Sequence, residues 1–77
     1  MTAITVKNIE YTVIAKIAIN EALYPNRAKF ISGTAYLRRG NGENVYSLPI
    51  SLNGVIRTDL APINCGKMTD AEVNALP

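Results

Sequence analysis

The chain contains no histidine and no tryptophan, a single cysteine, and only one phenylalanine beside four tyrosines. Without histidine, neither a Ser-His-Asp nor a Cys-His relay can be assembled, and the common zinc sites lose their ligand set. The lone thiol, Cys65, makes no internal disulfide, which fits a reducing cytosol or a bridge to a second copy. Long apolar runs are also missing. No stretch approaches the roughly 18 residues that mark a membrane span, and Met1–Lys7 lacks the basic and apolar regions of a secretory signal. The expectation is a cytoplasmic protein, in a host cell if phage-encoded, that has no membrane partner and binds no cofactor or metal.

Charge of one sign is scarce as well: eight Lys and Arg stand against six Asp and Glu, for a formal +2. That is far from the density of a histone-like binder. The carboxylates Glu10, Glu21, Glu43, Asp59, Asp70 and Glu72 show no paired spacing apart from Asp70 and Glu72, which helix capping explains. Gly40-Asn41-Gly42 lacks the Gly-Lys-Ser/Thr ending of a phosphate loop. Cys65 sits beside Lys67 but has no general base in evidence, and reads as a small buried residue under a loop. An enzyme is not expected.

What is present is an apolar fraction of 48% over 77 residues, the balance of a folded chain, and residues 1–77 are expected to form one domain. A domain of this size buries only about 60% of the surface its unfolded chain exposes. With no disulfide or metal to help, a homodimer or docking on a larger partner would supply the missing buried area.

Asn, Gly and Pro punctuate alternating apolar runs at Tyr24-Pro25-Asn26, Gly40-Asn41-Gly42, Asn53-Gly54 and Ala61-Pro62, which reads as strands and tight turns. From Ile9 the odd positions Ile9, Tyr11, Val13, Ala15, Ile17 and Ile19 are apolar, and Glu10, Thr12, Lys16 and Asn20 fall between them. This period of two predicts a strand over about 9–19, with Ala15–Leu23 also able to hold two helical turns before Pro25. A shorter strand is expected over about 3–6.

Two further strands, about 29–39 and 44–51, can be registered by asking their apolar residues to share a face. Leu37 then faces Tyr46, Ala35 faces Leu48 and Gly33 faces Ile50, centred on an Asn41-Gly42 type I′ turn with positive φ at both residues. A third strand over about 55–60 pairs Ile50 with Ile56, Leu48 with Thr58 and Tyr46 with Leu60, if Leu52-Asn53-Gly54 forms a three-residue loop with Gly54 left-handed. Pro49 cannot donate to a ladder and must lie at an edge or a bulge. Thr69-Asp70-Ala71-Glu72 is a capping box, flanked by Met68 and Val73 as a hydrophobic staple, and starts a short helix over 70–76. The fold class is therefore β-rich: an antiparallel meander with N-terminal strands and a C-terminal helix, either a small α+β sheet or an OB-like barrel.

The most informative surface is the face of the first hairpin strand opposite its core side, carrying Phe30, Ser32, Thr34, Tyr36 and Arg38, across from Val45, Ser47, Pro49 and Ser51. Arg27, Lys29, Arg38 and Arg39 crowd the same stretch, which contains no acid. Phe30 and Tyr36 either stand exposed on this face or are covered by the first long strand or the helix. Exposed, with Arg27, Lys29, Arg38 and Arg39, they supply the Tyr and Arg anchors typical of interface hot spots. The expected function is a non-enzymatic binding protein that occludes or bridges a larger protein or nucleoprotein complex, comparable in type to small phage or mobile-element inhibitors and adaptors. The alternatives are a single-stranded DNA or RNA binder stacking bases on the two rings, and a structural subunit of a homo-oligomer.

Overall fold

The computed structural model describes residues 2–76. Five antiparallel strands, β1 (Thr2–Val6), β2 (Ile9–Ala18), β3 (Ile31–Arg38), β4 (Asn44–Ser51) and β5 (Ile63–Lys67), lie side by side in chain order, followed by the short helix α1 (Asp70–Asn74). One turn of 3-10 helix, Arg27–Lys29, precedes β3. The sheet is open: β1 and β5 are its two edges, and it does not close into a barrel.

From Gly33 to Leu37 the β3–β4 register is the one the apolar pattern requires, with Leu37 opposite Tyr46, Ala35 opposite Leu48 and Gly33 opposite Ile50. Between Ile31 and Gly33 the ladder slips, so that Ile31 faces Ser51 and Phe30 does not continue the alternation of Ser32, Thr34, Tyr36 and Arg38. The β3–β4 turn is built differently from the sequence expectation. Gly40 takes the positive φ, at 55°, while Asn41 and Gly42 do not, and the Gly42 amide donates to the Arg39 carbonyl at 3.0 Å. The paired left-handed residues of a type I′ turn occur instead at Lys7 (φ 53°) and Asn8 (φ 66°), between Val6 and its partner Ile9.

Ala35, Leu37, Leu48 and Ile50 point to one side of the sheet, where they are buried with Val6 and Tyr11, and Ile4, Ile9, Val13, Tyr46 and Ile56 pack against them. Burial of each such large side chain stabilises by about 1.5–3 kcal/mol. Tyr11 and Tyr46 meet edge to face at 5.6 Å. The sheet bends far enough for Lys7 Nζ to donate to the Asp59 carbonyl at 3.1 Å, tying the β1–β2 turn to the connection between β4 and β5.

The odd positions of β2 do not share one face. The ladder with β3 slips between Val13 and Ala15, so that Val13 faces Leu37 but Ala15 faces Tyr36 and Ile17 faces Thr34. Ile14 is the extra residue, and such a bulge reverses the side on which every later residue projects. Ile9, Tyr11 and Val13 therefore serve the core, whereas Ala15 and Ile17 line the opposite face, and Lys16 shares the core side at an exposed position. After Ala18 the chain makes turns rather than an α-helix: the Asn20 side-chain carbonyl accepts from the Ala22 and Leu23 amides.

The strand expected at 55–60 is the main revision. Its loop forms as the pattern demands, with Gly54 at φ 83° and a bridge between Ile50 and Ile56. Pairing then stops. Arg57 donates its amide to the Pro49 carbonyl at 2.9 Å, and Pro49 has no N–H to return the bond that a continuing ladder needs. Arg57 and Asp59 join in a local ion pair at 2.9 Å, the Leu60 amide turns back to the Arg57 carbonyl, and β5 takes the edge instead, with Asn64 opposite Tyr46 and Ile63 opposite Ser47. Leu48–Thr58 and Tyr46–Leu60 do not pair.

At the C-terminal end the capping box is complete: the Glu72 amide donates to Thr69 Oγ1 at 3.2 Å, and the Thr69 amide donates to Glu72 Oε1 at 3.0 Å. The helix is shorter than the 70–76 expected and packs against β2 with Val73 fully buried. Among the described residues, no helix is long and apolar enough to cross a membrane.

Candidate functional site

The register fixes where each candidate side chain stands. Ala35 and Leu37 turn to the core, so Thr34, Tyr36 and Arg38 occupy the second face of the sheet, together with Val45, Ser47 and Pro49 from β4. Val45 is fully buried on that face, at the end where Arg38 reaches α1.

Arg38 is committed within the molecule. Its guanidinium donates to the carbonyls of Gly42, Glu43 and Met68, the last at 2.9 Å, and to Asp70 Oδ1 at 2.7 Å. It holds together the β3–β4 turn, the end of β5 and the start of α1. Arg39 follows it into the turn and is exposed.

Arg27, Lys29 and Phe30 stand at the other end of β3, before Ile31. At about 3.3 Å per residue, the length of β3 separates Phe30 from Arg38 and Arg39 by roughly 25 Å. Of the six sequence candidates, Phe30 and the pair Arg38 and Arg39 thus stand in two groups at opposite ends of β3. Phe30 is 76% exposed, so neither the long strand nor the helix covers it. It lies immediately outside the last β3–β4 pair, Ile31 with Ser51, and Leu52 flanks that pair on the other strand at 61% exposure. The connections 19–30 and 52–62 leave the sheet at this same end, and they also expose Leu23 and Val55.

Tyr36 is half-buried between these groups. Burial raises its pKa above the ordinary 10.0, nearby Cys65 and Tyr24 push the same way, and Arg27 opposes them. Arg27 and Tyr36 are therefore brought together, with Tyr24 as a third member that the alternation pattern gave no reason to select. The Arg27 guanidinium lies 5.9 Å from the centre of the Tyr24 ring, a cation–π distance. A lone aromatic next to Pro25 reads as turn punctuation. The one available signal was the Tyr24-x-x-Arg27 spacing, which puts the two side chains on one side of a helical turn.

Cys65 is exposed on edge strand β5, not buried under a loop. Pairing of Asn64 with Tyr46 puts Asn64 on the core side and leaves Cys65 on the side of Tyr36. Among the described residues, no three His, Cys, Asp or Glu side chains gather as a metal site.

No family model, curated protein or solved structure matches the chain. Its functional reading rests on this geometry alone.

Proposed function

We propose that the protein is a non-enzymatic cytoplasmic binding domain that docks on a larger protein, as an inhibitor or adaptor does, through the sheet end carrying Phe30 and Leu52. The observation behind this reading is the exposure of those two side chains, 76% and 61%, on the two chain segments just beyond the last β3–β4 pair. Large apolar groups held outside a folded core at neighbouring positions are typical of interaction surfaces. Leu23 and Val55 add apolar area at the same end, and Lys29 supplies a cation in a stretch, 22–42, that contains no acid. Aromatic anchors of this kind contribute much of an interface's energy. The single-stranded nucleic-acid reading has less support, because Arg38, one of the basic residues it needs, is taken up by Asp70 and three backbone carbonyls.

The test is affinity capture from lysate of the source organism with three baits: the wild type, the Phe30→Ser/Leu52→Ser double variant and Arg39→Glu. Docking at this end predicts one specific protein retained by the wild type and by Arg39→Glu and lost by the double variant. Both sites are exposed, so the double variant should keep its stability to within roughly 1 kcal/mol. Undiminished capture by the double variant refutes the assignment. Salt-dependent binding of single-stranded oligonucleotides, at about −0.7 in log-log slope per phosphate contact, would favour the nucleic-acid reading instead.

A further inference from the structure

The bulge at Ile14 has a second product besides the switch of faces. It places Ile17 on the outer face beside Thr34 and Tyr36, and the β2–β3 connection folds beside them, so that a cleft of about 220 Å³ opens there. Ile17 and Ile19 contribute apolar surface, Leu76 closes one side beyond α1, and Tyr24 and Arg27 form the rim. Thr34 and Asn20 add short polar groups. The cleft is separate from the Phe30–Leu52 end, and neither of those residues lines it.

Among the described residues, Arg27 is the only charged one in the cleft lining, and no carboxylate lines it. Among the described residues, Arg27 makes no ion pair; its one assigned partner is the ring of Tyr24. A guanidinium stacked on an aromatic face keeps its in-plane N–H groups free, and that planar fork matches a carboxylate with two parallel hydrogen bonds. The Tyr36 hydroxyl, a neutral phenol at ordinary pH, can donate a hydrogen bond and adds no second charge. A single positive charge balances one negative charge, which favours a carboxylate over a phosphate dianion. The volume is below the roughly 300–1,000 Å³ of drug-sized sites, so the ligand is small.

We propose that this cleft binds a small carboxylate carried on an apolar body, with Arg27 taking the carboxylate and Ile17, Ile19 and Leu76 receiving the body. The site needs no protein partner, so it stands or falls separately from docking at the sheet end.

Benzoate is the probe, and benzamide is its neutral counterpart of nearly the same shape. Titrated into isotope-labelled protein, benzoate should produce saturable shifts of the Ile17, Thr34 and Tyr36 amides with a Kd near 1 mM, about −4 kcal/mol, as befits so small a ligand. Benzamide should bind at least tenfold more weakly. Arg27→Gln should weaken benzoate at least tenfold, whereas Lys29→Gln, one charge removed from the neighbouring exposed position, should leave it unchanged. The proposal is overturned if benzoate gives no saturable shift at these amides, if benzamide binds equally well, or if Lys29→Gln is as damaging as Arg27→Gln. The benzamide comparison uses the unaltered protein, so the outcome does not depend on any variant folding.

Discussion

Arg38 Nη2 donates to Asp70 Oδ1 at 2.7 Å, joining the last residue of β3 to the first residue of α1 across 32 positions of sequence. The same guanidinium also satisfies three backbone carbonyls, so an apparently free surface cation is the clamp between the sheet and the helix.

The two halves of that clamp should differ in worth. The Arg38 side chain is 21% exposed and that of Asp70 72%, so solvent screens the carboxylate far more than the guanidinium. Asp70→Asn should cost no more than about 1 kcal/mol. Arg38→Leu removes charge-assisted bonds to four acceptors and should cost about 2–4 kcal/mol. Urea denaturation measures both, and equal losses would mean that the backbone carbonyls contribute nothing to the clamp.

Gly33 is required by packing rather than by its backbone angles. A Cβ at this position would lie 2.5 Å from the Ile17 carbonyl oxygen and 3.2 Å from the Ala18 Cα, both backbone atoms of the adjacent strand. Gly33→Ala should therefore force β2 and β3 apart, at about 1–3 kcal/mol. Hydrogen exchange should show the loss at Lys16–Ala18 first. A variant as stable as the wild type would contradict this close approach.

Tyr36 sets an alkaline limit on stability. Its folded pKa is raised above 10.0, chiefly because burial disfavours the phenolate. The phenol therefore contributes stability that is fully present below pH 10 and is lost as pH rises through the higher folded value. Ring carbon shifts of Tyr36 should show an ionisation midpoint above 10.0 in the folded protein, and Tyr36→Phe should flatten the fall in stability above pH 10. A midpoint at or below 10.0 would show that the ring is solvated.

Much of the fold was legible because alternation, turn residues and caps act over a few neighbouring positions. The β3–β4 register followed from matching Leu37, Ala35 and Gly33 with Tyr46, Leu48 and Ile50, since a slip of one residue would have exposed the whole set. The left-handed Gly54 and the Thr69–Glu72 capping box were equally local. The strand at 55–60 was not, because the choice between it and Ile63–Lys67 is a competition for one edge of β4. The missing N–H of Pro49 and the Arg57–Asp59 pair decide that competition.

The candidate site divides in the same way. The sequence by itself determined which residues carry aromatic and cationic chemistry, and that Tyr36 and Arg38 lie opposite the core side of β3. Only the tertiary structure decided that Arg38 is taken up by Asp70 and three carbonyls, that Phe30 stands exposed beside Leu52, and that Arg27 meets Tyr24 and Tyr36. The Ile14 bulge also lay beyond the pattern, because an extra residue in one strand is visible only against its partner, and it redirects Ala15 and Ile17 from the core to the outer face. A period of two specifies that side chains alternate. Which side they alternate to after a bulge is set by the strand alongside.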